Sequence, residues 1–446
     1  MLLESPKNSR LYIQKYWIRG IKPTGKLSSM LTKIVGTVFS RTFASVSNFL
    51  IVVLTAKHLG AAARGEISLV ILSVSIVALF QAIAGGPSLT YYSANHSLKK
   101  LVAISVSWSL FVGVVVSVLL GSLDLISWDL VGFLLLISLP QGVLLIFQSI
   151  LIGRQKIVLY NMLELIRSSF LVGIILVLIL GAGVKTVSVV YYAYVAANIS
   201  AVLLGAYFIV KLPVIASEWT SLRLAKEMFR FGFQVQLNNI SQMFNYRFVY
   251  FVIEKWKGLE VLGVFSVAIS IAETVWIVSK SIATYQTSIL VNTKDLIRQR
   301  TSTISFSKMS LFFTIMAVSV LLILPSSLFT WLFGDEFSQI KEINYFFFPA
   351  IIFLAFFSIL NHYFYSTDRN VINIYGALVG NLITLLLAIY LIERYGLVGA
   401  ALTYSFSFLG MLFYLFFKFL VISGATFRDF LPRMDDVQKF KKLLKF

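Results

Sequence analysis

The chain has 446 residues, of which 58% are hydrophobic and only 13% charged, against roughly 25% charged residues in an ordinary soluble domain. With a mean hydropathy of +0.87 and repeated apolar runs long enough to span a bilayer, it reads as an all-α, polytopic membrane protein. There is no cysteine, which excludes disulfides, thiol catalysis and thiolate metal sites. The three histidines, His58, His96 and His362, are isolated and make no metal-ligand spacing. No glycine-rich phosphate loop and no other cofactor motif occurs, so no cofactor and no direct ATP drive are expected.

Residues 1–33 form a basic tail, too long and polar before the first apolar run for a cleaved signal peptide. A first span is expected over 34–56, with Arg41, Ser45, Asn48 and Thr55 on one face. The stretch 57–68 reads as a short loop into a second span ending near Tyr92, which Gly85-Gly86-Pro87 should kink. Spans three to six follow at about 101–120, 129–152 (with Pro140), 161–180 and 187–210. The fifth carries Glu164 and Arg167, three residues apart and able to pair on one face, as an ion pair or a coupling element. Lys211–Arg230 is the longest internal connection and divides the chain near its middle. Spans nine to twelve are expected at about 311–333, 345–365, 371–392 and 397–421, followed by a second basic tail.

Spans seven and eight, between Phe229 and Val291, carry groups that a bilayer core rejects. Gln234, Asn238, Gln242 and Asn245 share one face of the seventh, with Arg247 nearby. Ser266, Ser270, Glu273, Lys280, Thr284 and Thr287 form a single stripe on the eighth. Stripes of this length cannot face lipid, where each unsatisfied group costs several kcal/mol. They line a water-filled cavity or pair with other helices. Arg41, Asn48, Asn238, Gln242, Asn245, Arg247, Glu273 and Lys280 are therefore the candidate substrate-cavity residues. The intramembrane charges Arg41, Arg167, Arg247 and Lys280 outnumber Glu164 and Glu273. A surplus of Arg and Lys suits an anionic substrate, and arginine forks suit a diphosphate.

The net charge is +19, and its lysines and arginines concentrate in both tails and the even-to-odd turns. That asymmetry places both termini in the cytoplasm, with the charges beside anionic phospholipid headgroups, and disposes of a nucleic-acid partner. Trp128, Trp256 and Trp331 fall at span ends on the other side, where aromatic belts are expected. Gly65-x-x-Ser68-x-x-Ile71 recurs as Gly263-x-x-Ser266-x-x-Ile269, and Pro140-x6-Phe147-x-Ser149-Ile150-Leu151 as Pro349-x6-Phe356-x-Ser358-Ile359-Leu360. These matches predict two pseudo-symmetric six-helix halves, 34–211 and 229–422, around a central cavity. A linker over 212–228 and the tails 1–33 and 423–446 complete the chain.

Three stretches carry a family resemblance. His58-Leu59-Gly60-Ala-Ala-Ala-Arg64-Gly65-Glu66 resembles the "LGp..rGey" turn of bacterial polysaccharide-biosynthesis (O-antigen) flippases. Gly263-Val264-Phe265-Ser266-Val267-Ala268 is similar to their "vGlYsvA" opening of the eighth helix, and Tyr395-Gly396-Leu-Val-Gly399-Ala400-Ala401-Leu402 to their "YGl.GAal" start of the twelfth. The family belongs to the multidrug/oligosaccharidyl-lipid/polysaccharide exporter superfamily. The seventh helix departs from its "yRlD" pattern: Tyr246-Arg247-Phe248-Val249 keeps the arginine and lacks the acid, so no ion-coupling role attaches to that aspartate here. The resemblance implies a non-enzymatic flippase of the bacterial inner membrane. It would carry a lipid-diphosphate-linked oligosaccharide of an O-antigen, capsule or exopolysaccharide by alternating access. Its partners would be anionic lipids and the polysaccharide polymerase and chain-length machinery. The alternatives are an ion-coupled small-molecule antiporter of the same superfamily and, third, a membrane polymerase or ligase. Against the last, the outer loops are short and none joins a histidine to a carboxylate pair.

Overall fold

The structure is a computed structural model that describes residues 26–213, 220–290 and 295–431, and every element within them is helical. The first helix, α1 (Lys26–Gly85), is 60 residues long. Straight, it would measure about 90 Å, three times the roughly 30 Å hydrocarbon core. One residue resolves the conflict: Gly60 has φ 85° and ψ 176°, a backbone shape that a Cβ penalises. Expected as a loop over 57–68, this turn is a single glycine, and Arg64 stands in the helix that follows.

Then come α2 (Pro87–Ser93), α3 (Leu98–Ser122), α4 (Trp128–Gly153), α5 (Ile157–Leu176), α6 (Ser188–Val210) and α7 (Ser221–Leu290). The chain continues with α8 (Leu296–Ile323), α9 (Ser326–Phe333), α10 (Ile340–Ser366) and α11 (Asn370–Ser423). Proline 87 opens α2 at its first turn, so the expected kink is a clean break at Gly86. The expected ninth span over 311–333 is also broken: Pro325 caps α9 and separates it from α8. The connection expected over 211–230 is shorter, because α7 begins at Ser221 and buries Leu224 and Met228.

Helix α7 repeats the device of α1. Gly258 has φ 83° and ψ 176°, nearly the values at Gly60, and lies at the same distance before Gly263 as Gly60 before Gly65. Helix α11 reverses at Gly396 (φ 56°, ψ −126°). The reversal is visible in packing: a Cβ on Gly399 would meet the Leu391 carbonyl oxygen at 1.9 Å, although eight residues of straight helix would hold them about 12 Å apart. Among the described residues nine segments are long and apolar enough to span a membrane. Three of them, of 55, 49 and 54 residues, hold the broken glycines and cross twice, which gives twelve crossings.

The two families of turns segregate. Lys57 Nζ donates to the Trp331 carbonyl (2.9 Å), the Ala61 N–H to Glu336 (2.5 Å) and Lys257 Nζ to the Glu393 carbonyl (2.8 Å). At the other end Arg154 donates to the His96 carbonyl (3.2 Å) and Arg300 to Asp429 (2.8 Å). The Thr426 N–H, then the Arg300 guanidinium, hold the Asp429 carboxyl below the usual carboxylate range. Trp128, Trp256 and Trp331 are exposed at the first end, as an aromatic belt requires. Side chains such as Phe413, Leu203 and Ile323 point outward, unpaired with protein and fitted to lipid. Reporter fusions check the orientation: at Lys100, Arg154, Lys226 and Arg300 they should report cytoplasm, and at Asp124, Lys257 and Asp335 the opposite side. Reversal at any two sites would overturn the assignment.

Candidate functional site

Two cavities meet at one ion pair. Arg247 Nη2 donates to Glu273 Oε1 at 2.7 Å, and Arg247 Nη1 to the Tyr250 hydroxyl at 2.9 Å. Both partners of the pair line both cavities. Arg247 precedes the Gly258 turn by eleven residues, about 16 Å of helix, which sets it near the middle of a bilayer-sized span. The arginine side chain is 28% exposed and the glutamate 48%, both towards the cavities.

The first chamber has a volume of about 320 Å³, within the range of small-ligand sites. Its walls come from α1, α4, α5, α6 and α7: Asn48, Arg64, Ser68, Ser75, Gln141, Arg167, Tyr194 and Tyr250 face it beside the ion pair. Arg64 is the residue the sequence reading missed. It is only 8% exposed, and its Nε has no hydrogen-bond partner among the described residues. A buried donor left so is costly unless something in the cavity accepts from it. Its signal was present: Arg64, Ser68, Ile71 and Ser75 step by four, three and four, one face of a helix. Arg167 reaches the same chamber while paired with Glu164 at 2.8 Å, and Gln148 donates to that glutamate at 3.0 Å. The pair expected from sequence thus exists.

The second chamber, about 390 Å³, lies among α7, α10 and α11, with Leu79 of α1 at its wall. Tyr246, Trp276, Phe347, Tyr404 and Phe408 give it ring walls, with Asn239, Gln242 and Lys280 as polar groups besides the shared Arg247–Glu273 pair. Lys280 Nζ lies 5.2 Å from the centre of the Trp276 ring, a cation–π distance. The Tyr404 hydroxyl is anchored on the Tyr246 carbonyl, which fixes the wall.

Of the cavity residues read from sequence, Asn48, Gln242, Arg247, Glu273 and Lys280 line the chambers. Asn245 does not. It is 1% exposed, accepts from Ser407 at 3.0 Å and touches the Met411 sulfur at 3.4 Å, joining α7 to α11. The reason is its neighbour: Asn245 meets Ser407 and Met411 of α11, which take up its amide, rather than the cavity. Arg41 is exposed near the start of the apolar segment of α1, which begins at Phe39, and lines neither chamber. The Asn238 side chain lies outside the described residues. Arg64, Arg167, Arg247 and Lys280 against Glu164 and Glu273 leave a surplus of two positive charges around the chambers.

Twelve crossings with a polar, charge-lined cavity at mid-depth define a polytopic membrane fold. Solved structures place it more closely. The chain is similar to "Lipid II flippase MurJ, inward closed conformation" at a TM-score of 0.67 and 16% identity, over 93% of each chain. It is similar to an inward-facing multidrug resistance MATE family transporter of the MOP superfamily at 0.68 and 13%, over 86% of this chain and 96% of that one. A third, from Pyrococcus furiosus, is described as a MOP superfamily transporter whose binding pocket has reversed polarity. It matches at 0.56 and 15%, over 93% and 95%. The likeness is one of fold. No family model matches the sequence, and no curated protein does.

Proposed function

We propose that the chain is a flippase of the bacterial inner membrane, carrying a lipid-diphosphate-linked oligosaccharide by alternating access. The observation that carries this reading is the first chamber. Three arginines, Arg64, Arg167 and Arg247, converge on it, and Arg64 is buried with a nitrogen that has no partner among the described residues. Guanidinium forks match a diphosphate bidentately and hold it better than point charges would. A bound diphosphate would compete with Glu273 for Arg247 and so loosen the wall between the chambers. The lipid tail would remain in the bilayer, with both termini cytoplasmic and the polymerase and chain-length machinery receiving the product outside.

A charge series at Arg247 tests it. Arg247→Gln should reduce surface polysaccharide at least about tenfold, and Arg247→Lys should retain part of it, because charge survives without the fork. Arg247→Glu should be the most damaging, since it sets two carboxylates against the diphosphate. Glu273 is half exposed to the cavity, so breaking the pair costs less than the roughly 3–5 kcal/mol of a fully buried one, and the protein should still insert. The swap Arg247→Glu with Glu273→Arg restores the pair and controls for folding. Normal export by Arg247→Glu at normal protein levels would overturn the cationic-chamber mechanism.

The second reading is a small-molecule antiporter. The ring-lined second chamber and the likeness to a MATE transporter favour it. A cationic drug would meet Arg64, Arg167 and Arg247 on entering the first chamber, which opposes it. A polymerase or ligase has no acid–base constellation in either chamber.

A further inference from the structure

The second chamber differs in chemistry from the first. Its walls are mostly rings, Trp276 and Tyr404 among them, and the Arg247–Glu273 pair is the one charged wall it shares with the first chamber. The C–H face of a pyranose carries slight positive charge and packs well on the electron-rich face of an indole or phenol. Asn239 and Gln242 supply amide donors and acceptors at the rim, the groups that bond sugar hydroxyls without demanding a charge. A neutral sugar would need nothing more. Lys280 is therefore the residue to explain.

Lys280 is exposed into the chamber, and no carboxylate pairs with it among the described residues. Glu273 stands two helical turns away, about 10 Å along the axis, and is engaged with Arg247. The ammonium is positioned over the Trp276 ring at 5.2 Å. A sugar stacked against the same wall would present its ring substituents to that ammonium. Snorkelling towards headgroups would satisfy a lysine on a lipid-facing surface. Here the side chain lines a cavity walled by α7, α10, α11 and Leu79 of α1.

We propose that the second chamber holds the sugar portion of the substrate and that Lys280 reads a carboxylate on it, so that the preferred cargo is an acidic glycan. This rests on the flippase reading and deepens it. The first chamber takes the diphosphate that every lipid-linked unit shares, and the second distinguishes one unit from another.

The test uses the full chain in lipid nanodiscs and follows tryptophan quenching by three probes: glucuronate, glucose and inorganic pyrophosphate. Glucuronate should bind at least about tenfold more tightly than glucose, the size of one charge-assisted hydrogen bond in a half-open site. Lys280→Met should erase that preference while leaving glucose and pyrophosphate unchanged, and Lys280→Arg should keep it. Trp276→Phe should remove most of the sugar-dependent quenching and none of the pyrophosphate binding. Equal binding of glucuronate and glucose, or a preference that survives in Lys280→Met, would overturn the acidic-sugar assignment. Pyrophosphate separates this from the function itself. If it binds and Arg247→Gln abolishes that binding, the diphosphate chamber stands whatever the sugars do. If it does not bind, the flippase reading falls with the assignment built on it.

Discussion

Gly65→Val and Gly263→Val should each deplete folded protein, with at least a tenfold loss of the monodisperse fraction in mild detergent. A Cβ on Gly65 would lie 1.8 Å from the Leu259 carbonyl oxygen, and one on Gly263 1.8 Å from the Ala61 carbonyl oxygen. Neither obstacle is a side-chain tip that can rotate away; both are backbone. The two contacts are mirror copies, each glycine approaching the helix that carries the other, and between them they bring α1 and α7 into backbone contact just inside the Gly60 and Gly258 turns. Overpacking typically costs about 1–3 kcal/mol, and a clash with two helix backbones belongs at or above the top of that range. Gly65→Ala should already be harmful. Gly173→Ala, in α5, is the control: nothing lies within 4 Å of its added Cβ, so removing a flexible helix residue there should be neutral or stabilising by up to about 1 kcal/mol. A folded Gly65→Val protein with normal yield would mean that α1 and α7 do not cross at these residues.

The same glycines show what the sequence makes legible. The Gly65 and Gly263 motifs stood out because backbone contact admits no other residue, and the polar stripes stood out because lipid tolerates none. The turn at Gly60 hid for the opposite reason. A single left-handed glycine reverses the chain without the polar residues that mark an ordinary loop, and reading 57–68 as a loop removed Arg64 from the candidates. Pro325, within an apolar run, marked a break that hydropathy alone smoothed over. Asn245 was misassigned because spacing fixes which residues share a face and not which neighbour that face meets. The ring walls of the second chamber were illegible. With 39 phenylalanines in the chain, a ring that faces a cavity and one that faces lipid have the same signature, and only tertiary packing separates Phe347 and Phe408 from Phe413.

Joining the turn at Lys57 to the segment at Glu336 should stop transport. These contacts join the two halves expected from sequence on the tryptophan-belt side, in addition to the crossing at Gly65 and Gly263. Lys57 donates to the Trp331 carbonyl and lies 5.2 Å from the centre of that indole. Glu336 accepts from the Ala61 N–H at the start of the limb after Gly60, where a carboxylate also meets the positive end of the helix. The equivalent turn at Gly258 has no such acid beside it; nothing lies within 4 Å of a Cβ built there. The acid contact is therefore one-sided, and a cycle that opens on this side must release it. Because the chain has no cysteine, Lys57→Cys with Glu336→Cys gives a pair that a short bismaleimide can join without background. Export should fall about tenfold or more on cross-linking, while each single-cysteine variant treated with the same reagent keeps most of its activity. Glu336→Gln, which keeps the shape and loses the charge, should shift the protein towards the open form, read as faster maleimide labelling of a cysteine at Ser68 in the first chamber. If the cross-linked pair still exports at the rate of the untreated protein, this side does not open during transport, and alternating access through it is excluded.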